Sequence, residues 1–262
     1  VATLVTEQGI VHYETYGRGR PVLLLHGWLG SWALWRNSIE ILGKEFRTYA
    51  LDFFGFGESG DQANDFSVDN FVLLVNQFMD RLGIVKAPLV GHSMGGTVSL
   101  SAAVRFPEKV VKVIVIGSPI QGSSLNLLLK MSGYRNIAHL FWLYPSLLQL
   151  FLRGYSYFMA KDGKILGNMI TTDVSKVTVD SFFQSIGTLR ATDLRQQVGS
   201  VKAPVLGIYG KKDIIVHPNQ HRVLKQYLPN SKIAWFEGSG HFPMMDEPQR
   251  FHETVRDFLY NG

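Results

Sequence analysis

The chain of 262 residues contains no cysteine. That absence excludes structural disulfides, thiolate metal sites and a cysteine nucleophile, and it suits a reducing interior. Charge of one sign is scarce as well, since the formal net charge is only +5 and the Lys and Arg residues are scattered rather than gathered in runs or interleaved with aromatics. Nucleic acid is therefore not an expected partner. The uncharged stretch 136–152 carries Asn136, His139, Pro145 and Gln149 and falls short of a membrane span, so stable membrane insertion is not expected either. No signal peptide, internal repeat or low-complexity tract is visible. A cytoplasmic location is expected, and an organelle stays open if a leader preceding Val1 has been removed.

What is present is enough apolar material, 46% of the residues, to bury a substantial core in one large domain plus an insertion. Two strand-like runs, Ala2 to Thr6 and Ile10 to Tyr16, flank Glu7-Gln8-Gly9 and read as a hairpin. Buried strands follow at Val22 to Leu25 and Arg47 to Leu51, separated by a helix that begins at Ser31. Ser67 predicts an N-cap for a helix with Phe71, Leu74, Val75, Phe78 and Leu82 at helical spacing, stopped by Gly83. Strands at Ala87 to Val90 and Val110 to Ile116 continue the alternation, which argues for a parallel α/β sheet.

From about Ser118 to Gln197 no core strand is evident, and Leu125, Leu128, Leu129, then Leu147, Leu148, Phe151, Leu152, recur at helical spacing. This predicts a helical cap over 118–197 inserted into a core of 1–117 and 198–262. Sheet-like sequence resumes at Ala203 to Gly210 and at Lys232 to Glu237, with helices expected from Pro218 and from Pro248.

The chemistry gathers at Gly91-His92-Ser93-Met94-Gly95, where a strand runs through a sharp turn into a helix of small residues. G-x-S-x-G alone is a weak signal in a chain with 26 glycines, but strand, turn and helix are all in place around it. A serine hydroxyl needs a base, and His241, in the Gly-rich loop after the last strand, is the candidate. Asp213, just past the preceding strand, would hold that imidazole in the right tautomer. His12, His139, His217, His221 and His252 are read as packing or surface residues, and His92, Asp52 and Asp246 as structural, with Asp52 bracing the turn near His26-Gly27. The Met94 N–H at the helix N-terminus would face a developing oxyanion.

Together these segments resemble the α/β-hydrolase superfamily over essentially the whole chain. The resemblance rests on Leu25-His26-Gly27-Trp28, Asp52-Phe53-Phe54-Gly55-Phe56-Gly57-Glu58-Ser59, Gly91-His92-Ser93-Met94-Gly95-Gly96, Ala203 to Gly210 with Asp213, and Gly238-Ser239-Gly240-His241. It implies an eight-stranded, mostly parallel sheet, a lid inserted after strand 6, a triad in the order Ser93, Asp213, His241, and the Trp28 N–H as second oxyanion donor. Serine at the elbow argues against haloalkane dehalogenases and epoxide hydrolases, which resemble this fold but place an aspartate there. The loop Leu25 to Ser31 also looks like that of menaquinone-pathway lyases, but the predicted cap offers few arginines for their anionic substrates beyond Arg135 and Arg153.

The expected activity is hydrolysis of apolar acyl or aromatic carboxylic esters through an acyl-enzyme. Phe53, Phe54, Phe141, Trp142, Leu148 and Phe151 are the expected substrate contacts, with no cofactor or metal. A triad-using lyase or cofactor-free perhydrolase, or a ligand receptor that retains the triad, shares the same motifs.

Overall fold

A computed structural model describes residues 2–63, 65–132 and 145–261. Eight strands form one sheet: β1 (Ala2–Val5), β2 (Ile10–Tyr16), β3 (Pro21–Leu25), β4 (Arg47–Leu51), β5 (Ala87–His92), β6 (Val110–Ile116), β7 (Val205–Gly210) and β8 (Lys232–Phe236). Their order is β1-β2-β4-β3-β5-β6-β7-β8. Only the β1–β2 and β2–β4 pairs are antiparallel. From β4 to β8 every pair is parallel, which requires helical crossovers that cover both faces. The central strands are accordingly uninterrupted apolar runs: Val22 to Leu25 and Val113 to Ile116 are fully buried.

Helix α1 (Arg36–Leu42) follows a 3-10 turn at Trp32–Trp35 that Ser31 caps by accepting from the Ala33 N–H. Helix α2 (Val68–Arg81) starts where expected, with the Ser67 side chain accepting from the Asn70 N–H, and it buries Phe71, Leu74, Val75 and Phe78. Helix α3 (Met94–Arg105) buries Gly95, Gly96, Ser99, Ala102 and Ala103, small residues that let it lie close against β5 and β6.

Between β6 and β7 the described residues form helices: α4 (Leu127–Ser132), α5 (Pro145–Met159), α6 (Gly163–Val174), α7 (Val179–Ala191) and α8 (Arg195–Val198). The segment leaves and re-enters the core at one neck, where Gly122 N–H donates to Thr192 O and Leu194 N–H to Ile120 O. No helix among the described residues is long and apolar enough to cross a membrane. After β7 come α9 (Gln220–Tyr227), α10 (Pro243–Asp246) and α11 (Pro248–Asn261); α10 is a short element beyond those expected from sequence.

The order reverses around β3 and β5, because the chain steps from β3 outward to β4 and then returns past β3 to β5. Parallel α/β sheets leave a crevice at such a switch point, outside the carboxyl ends of the strands. Register sets those ends level: Leu25 pairs with Gly91, His92 with Ile116, and Ile116 with Ile208. The residues that leave these strands therefore emerge side by side.

Candidate active site

Ser93 occupies the bend between β5 and α3 at φ 51° and ψ −118°. A non-glycine residue there costs on the order of 1–3 kcal/mol and persists only where its surroundings enforce it. Here the Ser93 N–H donates to Ile116 O at 2.8 Å, while the Gly96 N–H donates to Ser93 O at 3.0 Å. A Cβ at Gly91 would overlap the Gly95 carbonyl, and one at Gly95 would overlap the Leu25 carbonyl. The turn thus closes only with glycine on both sides.

The loop after β3 lies alongside. His26 is fully buried, and that burial lowers its pKa and keeps the ring neutral. Its Nε2 accepts from the Phe53 N–H at 3.0 Å, so Nδ1 bears the proton and donates to Gly27 O at 2.7 Å. His26 thereby locks the loops after β3 and β4 together. Among the described residues the amide N–H groups of Trp28 and Met94 meet no acceptor. Two such free donors beside a serine can stabilise an oxyanion.

His241 and Asp213 complete the group. Asp213 Oδ1 accepts from the Ile215 and Val216 N–H groups at 2.8 and 3.0 Å. Its Oδ2 lies 2.8 Å from His241 Nδ1, which leaves Nε2 of that ring for proton exchange. Both side chains are buried. Gly117, at φ 53°, lies directly beneath them: a Cβ there would stand 3.1 Å from both Asp213 Oδ2 and His241 Nδ1.

The His241 backbone is clamped from two directions. Its N–H donates to Met159 O, at the end of α5, and its carbonyl lies 2.9 Å from His92 Nε2. Burial holds the His92 pKa well below the ordinary value, so the neutral ring donates from Nε2. Asp246 adds a further brace, with Oδ2 accepting from the Gly240 N–H at 2.8 Å and Oδ1 from the Lys161 N–H at 2.7 Å. Asp246, the last residue of α10, thus ties the histidine loop to the segment between α5 and α6. Asp52 braces loops as expected, accepting from the Trp32 N–H at 2.6 Å and the Glu58 N–H at 2.9 Å. It also lies 2.8 Å from Nδ1 of the buried His12.

Ser93, His92 and His241 open onto a cavity walled by Gly27 to Gly30 and by apolar side chains of α4 to α7. Leu148 and Phe151 line it. Phe53 and Phe54, expected as substrate contacts, do not line it. Phe53 is buried in a stack on Phe71, with ring centroids 4.6 Å apart, and Phe54 is buried beneath the hairpin turn at Gly9. Phe141 and Trp142 lie outside the described residues.

One lining residue went unread in the sequence: Asp173, near the end of α6. It follows Leu166, Met169 and Ile170 on the cavity-lining stripe of the helix, at the end where the helix dipole disfavours an anion. A carboxylate at that place in an apolar stripe was the available signal. Among the described residues no group of three or more His, Asp and Glu side chains is placed to hold a metal ion.

A mostly parallel α/β sheet with a strained serine elbow at its switch point, and an Asp–His pair whose histidine opens on the same cavity, defines the class. The sequence pattern of the alpha/beta hydrolase fold family matches residues 20–248, and the chain belongs to that family. It is an enzyme of this fold. The chain is 30% identical to a 2-hydroxy-6-oxo-6-phenylhexa-2,4-dienoate hydrolase of Burkholderia cepacia, over 98% of this chain and 95% of that one. It is 28% identical to a pimeloyl-[acyl-carrier protein] methyl ester esterase of Vibrio campbellii, covering 95% and 98% of the two chains. Among solved structures, an esterase from Exiguobacterium antarcticum superposes with a TM-score of 0.83 at 23% identity, covering 96% of each chain. A hydrolase from Pseudomonas aeruginosa PA01 gives 0.85 at 18% identity, covering 99% and 98%.

Proposed function

We propose that the chain is a serine hydrolase of uncharged carboxylic esters, with Ser93 as nucleophile, His241 as base and Asp213 as its orienting partner. The observation that carries this reading is the His241–Asp213 pair at 2.8 Å, held by clamped loops beside a serine in a strained elbow on the same apolar cavity. His241 Nε2 takes the Ser93 proton as Oγ adds to the ester carbonyl carbon. The electron pair of the carbonyl moves onto oxygen, where the Trp28 and Met94 N–H groups receive it. Collapse of the adduct expels the alcohol with the proton from His241, and water then releases the acid by the same steps in reverse order.

Residues 118–197 serve as the cap of this site, and Leu148 and Phe151 contact the apolar part of the substrate. The lining residues among those described include no Lys or Arg, which disfavours a multiply anionic substrate and with it the lyase alternative. The esterase activity named for the Vibrio relative is compatible with this reading.

The test is a panel of p-nitrophenyl esters of increasing acyl length, with wild type and Ser93→Ala, alongside fluorophosphonate labelling followed by intact mass. Loss of the nucleophile is expected to lower kcat on the order of 10⁶-fold and to abolish the adduct. Ester cleavage that survives Ser93→Ala, or a wild type inert towards every ester, overturns the proposal.

A further inference from the structure

The cavity is apolar almost throughout, and most of its polar side chains are already engaged. Trp28 Nε1 donates to Ser185 Oγ at 3.1 Å, the Ser132 hydroxyl donates to Leu129 O, and the Tyr155 hydroxyl accepts from Asn126 Nδ2. Asp173 is the exception outside the elbow and the histidines. Its residue is only 4% exposed and lines the cavity, yet only one carboxyl oxygen is used: Oδ1 accepts from Ser31 Oγ at 2.8 Å. Oδ2 is buried with no partner among the described residues. A buried polar atom without a partner forfeits its hydration, and native structures rarely tolerate one that does no work.

The position is built rather than incidental. Ser31 Oγ accepts from the Ala33 N–H, so its own proton is committed to Asp173 and fixes the carboxyl in the wall. Ser31 follows Trp28 in the loop after β3, so this hydrogen bond ties the Asp173 carboxyl to the loop that carries one of the proposed oxyanion donors. Leu166, Met169 and Ile170, from the same helix, line the same cavity with hydrocarbon. An apolar ester would leave that oxygen unsatisfied, whereas a ligand with one hydroxyl would satisfy it. A hydroxyl suits either protonation state, donating to a carboxylate and accepting from a carboxylic acid.

We infer that Asp173 is a specificity-determining residue that selects esters bearing a hydroxyl group on their otherwise apolar body. The inference rests on the ester-hydrolase reading of the site and narrows it from apolar esters to hydroxylated ones. A site that hydrogen-bonds a substrate hydroxyl discriminates strongly against the analogue lacking it, because binding that analogue leaves the buried partner unpaired.

The experiment compares matched pairs: methyl esters of straight-chain acids against the same acids hydroxylated at successive carbons, and n-alkyl acetates against the corresponding diol monoacetates. Wild type is expected to favour at least one hydroxylated member over its parent by about tenfold or more in kcat/KM. That ratio should fall to one or below in Asp173→Leu and lie between in Asp173→Asn, whose amide can still donate and accept. A purely structural role would depress both members of a pair alike and leave the ratio where it was. Absence of any hydroxyl preference, or a ratio unmoved in both variants, overturns the inference while the parent esters are still cleaved. If wild type cleaves neither parents nor hydroxylated esters, the hydrolase reading itself falls and takes this inference with it.

Discussion

Asp213 and His241 reach one another because the residue beneath them leaves room. Gly117 shows this most directly, since its φ of 53° is strained for any L side chain and a Cβ would press on both Asp213 Oδ2 and His241 Nδ1 at 3.1 Å. Gly117→Ala is therefore expected to displace the His–Asp pair and lower kcat by about 10–100-fold. Steady-state kinetics on a p-nitrophenyl ester checks it, and an unchanged kcat would show that the pair yields without cost. The proposed triad residues could all be read from sequence, because each chemical role demands one residue type at one turn. Phe53 and Phe54 could not. An aromatic pair in a Gly-rich loop reads equally well as cavity wall or as buried packing, and only the stack on Phe71 decides between them.

At the scale of elements, the decisive feature is how the loop after β8 is held. Its histidine lies between β5 and the end of α5, with His92 and Met159 on its backbone and Asp246 on Gly240. Because Asp246 also receives the Lys161 N–H, this loop and the segment between α5 and α6 share one brace. Asp246→Ala removes both contacts and is expected to lower kcat by about 10–100-fold, with a parallel fall in the rate of fluorophosphonate labelling. Labelling at the wild-type rate would locate the role of Asp246 outside the histidine loop. The strands, α2 with its Ser67 cap, and the helical character of the segment between β6 and β7 were legible from periodicity and capping chemistry. Helix α10 was not. Four residues are too few to display a helical period, and Asp246 acquires its tie to the segment between α5 and α6 only through Lys161, remote in sequence.

At the scale of the whole molecule, buried titratable groups set how stability depends on pH. His26, His92 and His252 each have a pKa lowered from 6.5, chiefly by burial, so the unfolded chain binds protons that the fold refuses as pH drops below that value. These three groups therefore weaken the fold on the acid side. Asp173 acts in the opposite sense. Burial pushes its carboxyl up to about 7, with Asp52 and Glu58 adding repulsion and Ser31 and Lys176 offsetting it. A carboxyl whose folded pKa exceeds its unfolded value destabilises progressively as pH rises from about 4 to about 7. Asp173→Asn should thus be more stable than wild type at pH 8, by on the order of a few kcal/mol at most, with the advantage shrinking towards pH 4. Urea unfolding midpoints at the two pH values measure this, and an equal difference at both would refute it. The sequence by itself determined the sheet, the helical character of the described residues between β6 and β7 and the serine bend, because hydrophobic period, capping and the absence of a side chain at a tight bend are local properties of the chain. Only tertiary structure decided which polar atoms are left without partners. Asp173 becomes a lone acceptor in an apolar wall, and Asp246 a brace, through residues brought from distant parts of the chain, and no local pattern encodes that meeting.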